Sequence, residues 1–195
     1  GSVNIGYYSG KVDSSSANVI IGHLAFSSSN NSSSASNVIL GYESASSINS
    51  ASSEHNVIIG RGAGIGGGAQ FTKNIAIGSY ALDGTGANAS TGQIAIGYQA
   101  LTAVTSGDDN TAIGYQAGAE IDDGNGNTIL GYQAALTHAG GQYNVVIGWK
   151  AMDDTDAGGN SENSNNNVAI GANAMGGTWA NATTEFNVAI GTNSM

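Results

Sequence analysis

One short motif recurs along the whole chain, and it limits what the chain can fold into more than any other feature. With its glycine as anchor, copies fall at Gly6, Gly22, Gly41, Gly60, Gly78, Gly97, Gly114, Gly131, Gly148, Gly171 and Gly191, a spacing of 16 to 23 residues. Self-similarity at a period of this size is the mark of a repeat architecture rather than of a single globular core. The residue before the anchor is Ile or Leu in every copy, and the residue three before it is Val, Ile or Thr. Four before it stands Asn in nine copies, with Ser2 and Gln93 as the exceptions, and three after it stands Ala or Ser throughout. The stretches between copies, such as 27–36 and 153–166, are polar and vary in length, which marks them as loops.

The physics of one copy is readable. Val-Ile-Ile, Ile-Ala-Ile and Thr-Ala-Ile are short β-branched runs that suit strands and suit helices poorly. Each ends at a glycine, which permits a turn with positive φ or a close backbone approach. So short a strand is not stable alone and must pair with its equivalent in the next copy. The expected fold is therefore all-β, a parallel β-solenoid of about eleven short coils spaced ~4.8 Å apart, a rod roughly 50 Å long. The recurring Asn is expected to form a ladder of side-chain amides bonded to backbone groups of adjacent coils; the alternative is that it only opens a turn.

Alternation along a strand sends Val19 and Ile21 one way and Ile20 the other. The middle residue is apolar too: Ile20, Ile39, Ile58, Ile129 and Val146, or small at Ala76, Ala95, Ala112, Ala169 and Ala189. Both faces are therefore expected to be covered, one by the coil itself and the other by further copies of the chain. The alternative is that long loops fold back over the second face. In this reading Ile113 lies in the coil core and the Ala112 column approaches identical backbones around an assembly axis.

Composition excludes several function classes. Charged residues make up 9% of the chain and the net charge is −10, with Lys11, Arg61, Lys73 and Lys150 the only bases. No basic patch exists to replace phosphate counterions, so nucleic acid is not an expected partner. Cysteine is absent. The longest aliphatic runs are three residues, too short for a membrane-spanning helix, and no membrane insertion is expected. The chain starts at Gly1-Ser2 without Met and stops at Met195 inside a copy, so residues 1–195 are expected to be one repetitive segment of a longer fibre chain.

Two stretches carry a family resemblance. Asn-Val-Ala-Ile-Gly-Ala-Asn-Ala (167–174) and Asn-Val-Ala-Ile-Gly-Thr-Asn-Ser (187–194) resemble the head repeats of trimeric autotransporter adhesins. Thr-Ala-Ile-Gly-Tyr-Gln-Ala (111–117) and Ile-Ala-Ile-Gly-Tyr-Gln-Ala-Leu (94–101) are more similar to repeats of bacteriophage tail fibres. The resemblance implies a left-handed β-roll wound as a homotrimer. It also implies a structural and adhesive role, in a virion tail or at a bacterial cell surface. The partners it implies are the chain itself, other fibre or tail proteins, and a host surface glycan or protein. The long, uneven period favours the tail-fibre style over the tighter autotransporter head.

No catalytic residue, cofactor or metal is expected. His23, His55 and His138 lie far apart in the repeat and read as isolated surface or turn histidines. Gly62 to Gly68 lacks the Lys and helix that a phosphate cradle requires. Acids gather at Asp108-Asp109, at Glu120 with Asp122-Asp123, and at Asp153, Asp154 and Asp156. Solvated turns are the preferred account of these; calcium binding and acid–base work on a glycosidic bond are the alternatives. Asp123-Gly-Asn125-Gly-Asn127 opens like a calcium loop but fails at Thr128 and Ala134. That leaves a polysaccharide depolymerase as a lesser alternative to an adhesive fibre. The position after the anchor glycine holds Tyr42, Tyr98, Tyr115, Tyr132 and Trp149. In four successive coils Tyr98, Tyr115, Tyr132 and Trp149 build an aromatic column, the candidate contact with a glycan or receptor. The alternative is a column that only stacks on itself to protect the coil edge or a trimer seam.

Overall fold

A computed structural model describes residues 1–11, 17–27, 34–48, 50, 53–66, 69–84, 89–153, 164–177 and 184–195. Among them every regular element is a strand: β1 (Val3–Ile5), β2 (Val19–Ile21), β3 (Val38–Leu40), β4 (Val57–Ile59), β5 (Phe71–Thr72), β6 (Ile75–Ile77), β7 (Ser90–Thr91), β8 (Ile94–Ile96), β9 (Thr111–Ile113), β10 (Thr128–Leu130), β11 (Val145–Ile147), β12 (Val168–Ile170) and β13 (Val188–Ile190). Eleven of these, one from each copy of the motif, form one parallel sheet in chain order; β5 and β7 pair separately on another wall. Equivalent residues face each other without slippage, as in Ile94↔Thr111, Ala95↔Ala112 and Ile96↔Ile113. The chain is a parallel β-solenoid, as the period predicts.

Two backbone devices turn the coil. At the anchor glycines φ lies between +128° and +147°. A Cβ on Gly97 would stand 2.1 Å from the carbonyl oxygen of Gly114, and the same collision recurs along most of the column. Glycine is thus required both by its dihedral and by the approach of the next coil. Two and four residues later the chain enters the left-handed region even with bulky side chains, as at Gln99 (φ 52°) and Leu101 (φ 50°). Each such residue costs roughly 1–2 kcal/mol. Hydrogen bonds to both neighbours accompany these corners: Gln99 donates to the Ser79 carbonyl at 3.1 Å and Leu101 to that of Ala117 at 3.1 Å. The Ala/Ser position between them is buried from Ala25 to Ala174, and at Ser44 and Ser194 the hydroxyl donates back to the anchor glycine carbonyl, at 3.0 and 2.9 Å.

The Asn ladder forms as expected and runs inside the rod. Asn37 donates its backbone N–H to Asn18 Oδ1 at 2.9 Å, and its Nδ2 donates to Oδ1 of Asn18 and to the Ser53 carbonyl. The pattern repeats from Asn56 to Asn187, and most of its members are almost fully buried. Gln93 fits the column because its longer arm still accepts from the Asn110 N–H (3.1 Å) and donates to the Gly107 carbonyl. Each amide satisfies backbone groups that a narrow, dry coil would otherwise leave unpaired.

The two strand faces are reversed relative to the sequence-based expectation. From β2 to β13 the middle residues of the main sheet, including Ile58, Ala76 and Ala112, are buried in the coil's own interior, while Asn4 of the terminal β1 is exposed. The flanking residues point outward and are only partly covered, Ile113 among them. Inside, the middle residue and the residue four after the anchor are opposite in size in six coils: Ile39 with Ala45, Ile58 with Gly64, Ile129 with Ala135, but Ala76 with Leu82, Ala95 with Leu101 and Ala169 with Met175; Ile20 with Phe26 and Val146 with Met152 are both large. A Cβ at Gly64 would already lie 3.2 Å from Ile58 Cδ1. Where both positions are small, at Ala112 and Gly118, Ile121 fills the space; a Cβ on Gly118 would meet its Cδ1 at 3.0 Å.

Candidate binding surface on the rod wall

The residue after each anchor glycine leaves the strand at a corner and points outward, so equivalent side chains from successive coils stack. Tyr98 and Tyr115 have ring centroids 5.2 Å apart and planes within 17°. Tyr115 and Tyr132 are 5.3 Å apart at 11°, and Tyr132 and Trp149 are 6.4 Å apart at 9°. The four candidate residues are thus brought into one column. Stacking covers both faces of Tyr115 and Tyr132 with neighbouring rings and leaves their edges to solvent.

The column is longer than the aromatic residues at that position suggest. Tyr80, two after its anchor, meets Tyr98 edge-on at 6.3 Å, filling the place that Ser79 leaves short. The Arg61 guanidinium lies 5.5 Å from the Tyr80 ring and 5.9 Å from that of Tyr42. Tyr42 stacks on His23 at 5.3 Å, and His23 on Tyr7 at 5.3 Å. His23 is therefore a stacking member of the column and not an isolated turn residue. Tyr7, His23 and Arg61 share the register position of the tyrosines, a signal present in the repeat; Tyr80 is out of register, and only the structure reveals it. Beside the rings runs an amide ladder, with Gln116 Nε2 donating to Gln99 Oε1 at 3.0 Å and Gln133 Nε2 to Gln116 Oε1 at 2.9 Å. Each residue of Gly-Tyr-Gln-Ala thus has its place: close approach, outer ring, outer amide, inner filler.

Of the other candidate groups, Asp108 and Asp122 bond between coils and Asp123 and Asp153 make contacts within their own. The Asp108 carboxylate accepts from the Thr91 N–H at 2.8 Å, and the Thr105 hydroxyl donates to Asp122. Asp123 bonds through its carbonyl to Asn125 Nδ2, and Asp153 pairs with Lys150 at 3.5 Å. Asp154 and Asp156 lie outside the described residues. Among the described residues no group of three or more His, Asp or Glu side chains is placed to hold a metal. His55 is exposed beside Glu54. His138, expected as an isolated surface or turn residue, is buried inside the coil, where its Nε2 accepts from Asn144 Nδ2 at 3.0 Å. Burial lowers its pKa to about 4, against a hydrogen bond with the Ser164 backbone that raises it. Gly141 makes room for the ring, since a Cβ there would collide with it.

Among the described residues no helix is long and apolar enough to cross a membrane. No protein-family model, no curated protein and no solved structure matches the chain.

Proposed function

We propose that this chain is a structural and adhesive segment of a homotrimeric fibre of the bacteriophage tail-fibre kind, which contacts the surface of a host cell. The observation that carries the reading is the outward face of the eleven-stranded sheet. Its flanking positions form two columns of Val, Ile, Leu and Thr along the length of the rod, partly exposed at most coils, with Leu130 at 45%. A continuous apolar stripe along a protein surface is the kind of feature that marks an interaction site. Closed three-fold symmetry would let three identical sheets cover one another. The resemblance of the Gly-Tyr-Gln-Ala copies to tail-fibre repeats supports the same number.

The head of a bacterial trimeric autotransporter adhesin is the second reading, favoured by the Asn-Val-Ala-Ile-Gly copies at 167–171 and 187–191. A polysaccharide depolymerase has less support, because Asp108 and Asp122 are engaged in bonds between coils. Small-angle X-ray scattering tests the proposal. A particle of about three chain masses and roughly 50 Å in length is expected from the coil spacing. A single-chain rod of the same length would contradict it.

A further inference from the structure

We infer that Thr111 and Thr128 set the axial register of the three chains, through hydroxyls that pair only when like coils meet. This role deepens the fibre reading above and rests on it. A second copy of the chain is the occupant that the outward sheet face fits. All the charged residues among the described ones lie off the eleven strands of that sheet, on corners and loops, although the chain carries −10. Copies of so acidic a chain repel one another along walls that carry carboxylates, and the uncharged sheet is where they can approach. The repeat makes that approach ambiguous. Coils stand ~4.8 Å apart. The residue three before the anchor is Val in seven coils and Ile at Ile75 and Ile94, and the residue before the anchor is Ile in nine and Leu at Leu40 and Leu130. One chain sliding past another by a coil or two exchanges an aliphatic contact for a nearly identical one, so these residues specify register weakly.

Thr111 and Thr128 break this uniformity. They are partners in adjacent strands and stand where the other coils hold Val or Ile. Both face outward, Thr111 half-buried and Thr128 exposed. Among the described residues neither hydroxyl has a hydrogen-bond partner within the chain. Thr72 and Thr91, by contrast, join hydroxyls at 3.3 Å, and Thr102, Thr105 and Thr137 donate theirs to Asp83, Asp122 and the Asp153 carbonyl. Thr matches Val in shape and in its branch at Cβ, so strand formation does not call for the exchange. A hydroxyl covered by an aliphatic side chain loses its water for nothing, whereas one that meets an equivalent Thr both donates and accepts. Three chains in register form two such layers, one of Thr111 and one of Thr128, each closed by the symmetry. Sliding one chain by one coil strands two hydroxyls of a facing pair of chains, against Ile94 and Val145; sliding it by two coils strands all four. A polar residue in an apolar interface fixes register in the same way in coiled coils. The Val, Ile and Thr column carries smaller side chains than the Ile and Leu column beside it, which places it nearer the axis, where three backbones leave least room.

The chain has no cysteine, so introduced ones report which coils meet. Chains carrying Val38→Cys and chains carrying Ile75→Cys, two coils further on, are co-expressed, purified together and oxidised. A disulfide needs Cβ atoms ~4 Å apart and two coils span ~10 Å, so unlike chains can link only out of register. With Thr111 and Thr128 in place, peptide mass spectrometry is expected to find links between like chains and few between unlike ones. With Thr111→Val and Thr128→Val added, unlike links should rise at least several-fold, while light scattering still gives a trimer and the β-spectrum is unchanged. Unlike links that stay as rare in the double variant, or that are already as common as like links without it, would overturn the register role. Trimers whose like chains never link would overturn it too, because the column then lies off the axis. Each of these results leaves the fibre reading standing. Monomers that form no links would overturn both.

Discussion

The inner and outer side chains of the same three-residue strands differ little in composition and greatly in what surrounds them. Ile58 in the middle of β4 is fully buried, faces Gly64 of its own coil, and has its backbone bonded to β3 and β6. Val57 and Ile59, one residue to either side, share those backbone bonds but keep part of their surface in water. Inside, large and small residues oppose each other in most coils; outside, Val, Ile, Leu and Thr simply recur. The inner set therefore accounts for folding of the chain, and the outer set is where association of chains would act. Substitutions at neighbouring residues should separate the two.

The largest effect is expected from an inner charge. Ala112→Lys buries an ammonium without a partner, which costs several kcal/mol. The β-signal in circular dichroism should be lost. A folded Ala112→Lys chain would mean that this face is not interior.

Next in size is the compensation between inner positions. Ile39→Ala should cost about 2–5 kcal/mol in denaturant unfolding. Ala45→Leu introduced on that background should recover part of it, with a coupling of about 0.5–3 kcal/mol. Strict additivity of the two changes would show that they do not share a volume.

His138 should make the interior sensitive to acid. Its folded pKa of about 4 lies below the ordinary 6.5, so above pH 6.5 neither state binds the proton and no penalty exists. As pH falls from 6.5 towards 4 the unfolded chain takes up the proton first. Stability should drop by up to about 3 kcal/mol over that window. Comparing His138→Gln with the wild type across it checks the assignment; parallel pH profiles would contradict it.

The smallest effect belongs to the column. Tyr115→Ala removes two ring contacts, worth roughly 1 kcal/mol each, and should lower the thermal midpoint by a few degrees without changing the spectrum.

Much of this architecture can be read from the repeat. The strands, the glycine column, the Asn ladder and the stacked tyrosines all follow from residues at fixed offsets from an anchor, because a solenoid converts register directly into neighbourhood. The inward parity does not follow from alternation, which has a period but no sign. The signal for it lies instead in pairs such as Ala95 with Leu101 and Ile129 with Ala135, whose volumes vary in opposition. His138 and Tyr80 resist reading for another reason. One sits in a loop outside the register, and the other reaches the column from the wrong offset, so only the packing places them.

The central claim is that the outward face joins chains while the inward face folds them. Ile113, next to Ala112 but on the outer side of β9, is the residue to test. Light scattering should give the wild-type chain about three times its 19.3 kDa mass. Ile113→Asp should keep the β-spectrum and run as a single chain, because three like charges would meet across the interface. A wild-type chain that is monomeric and stable, or an Ile113→Asp chain that unfolds without dissociating first, would contradict the account.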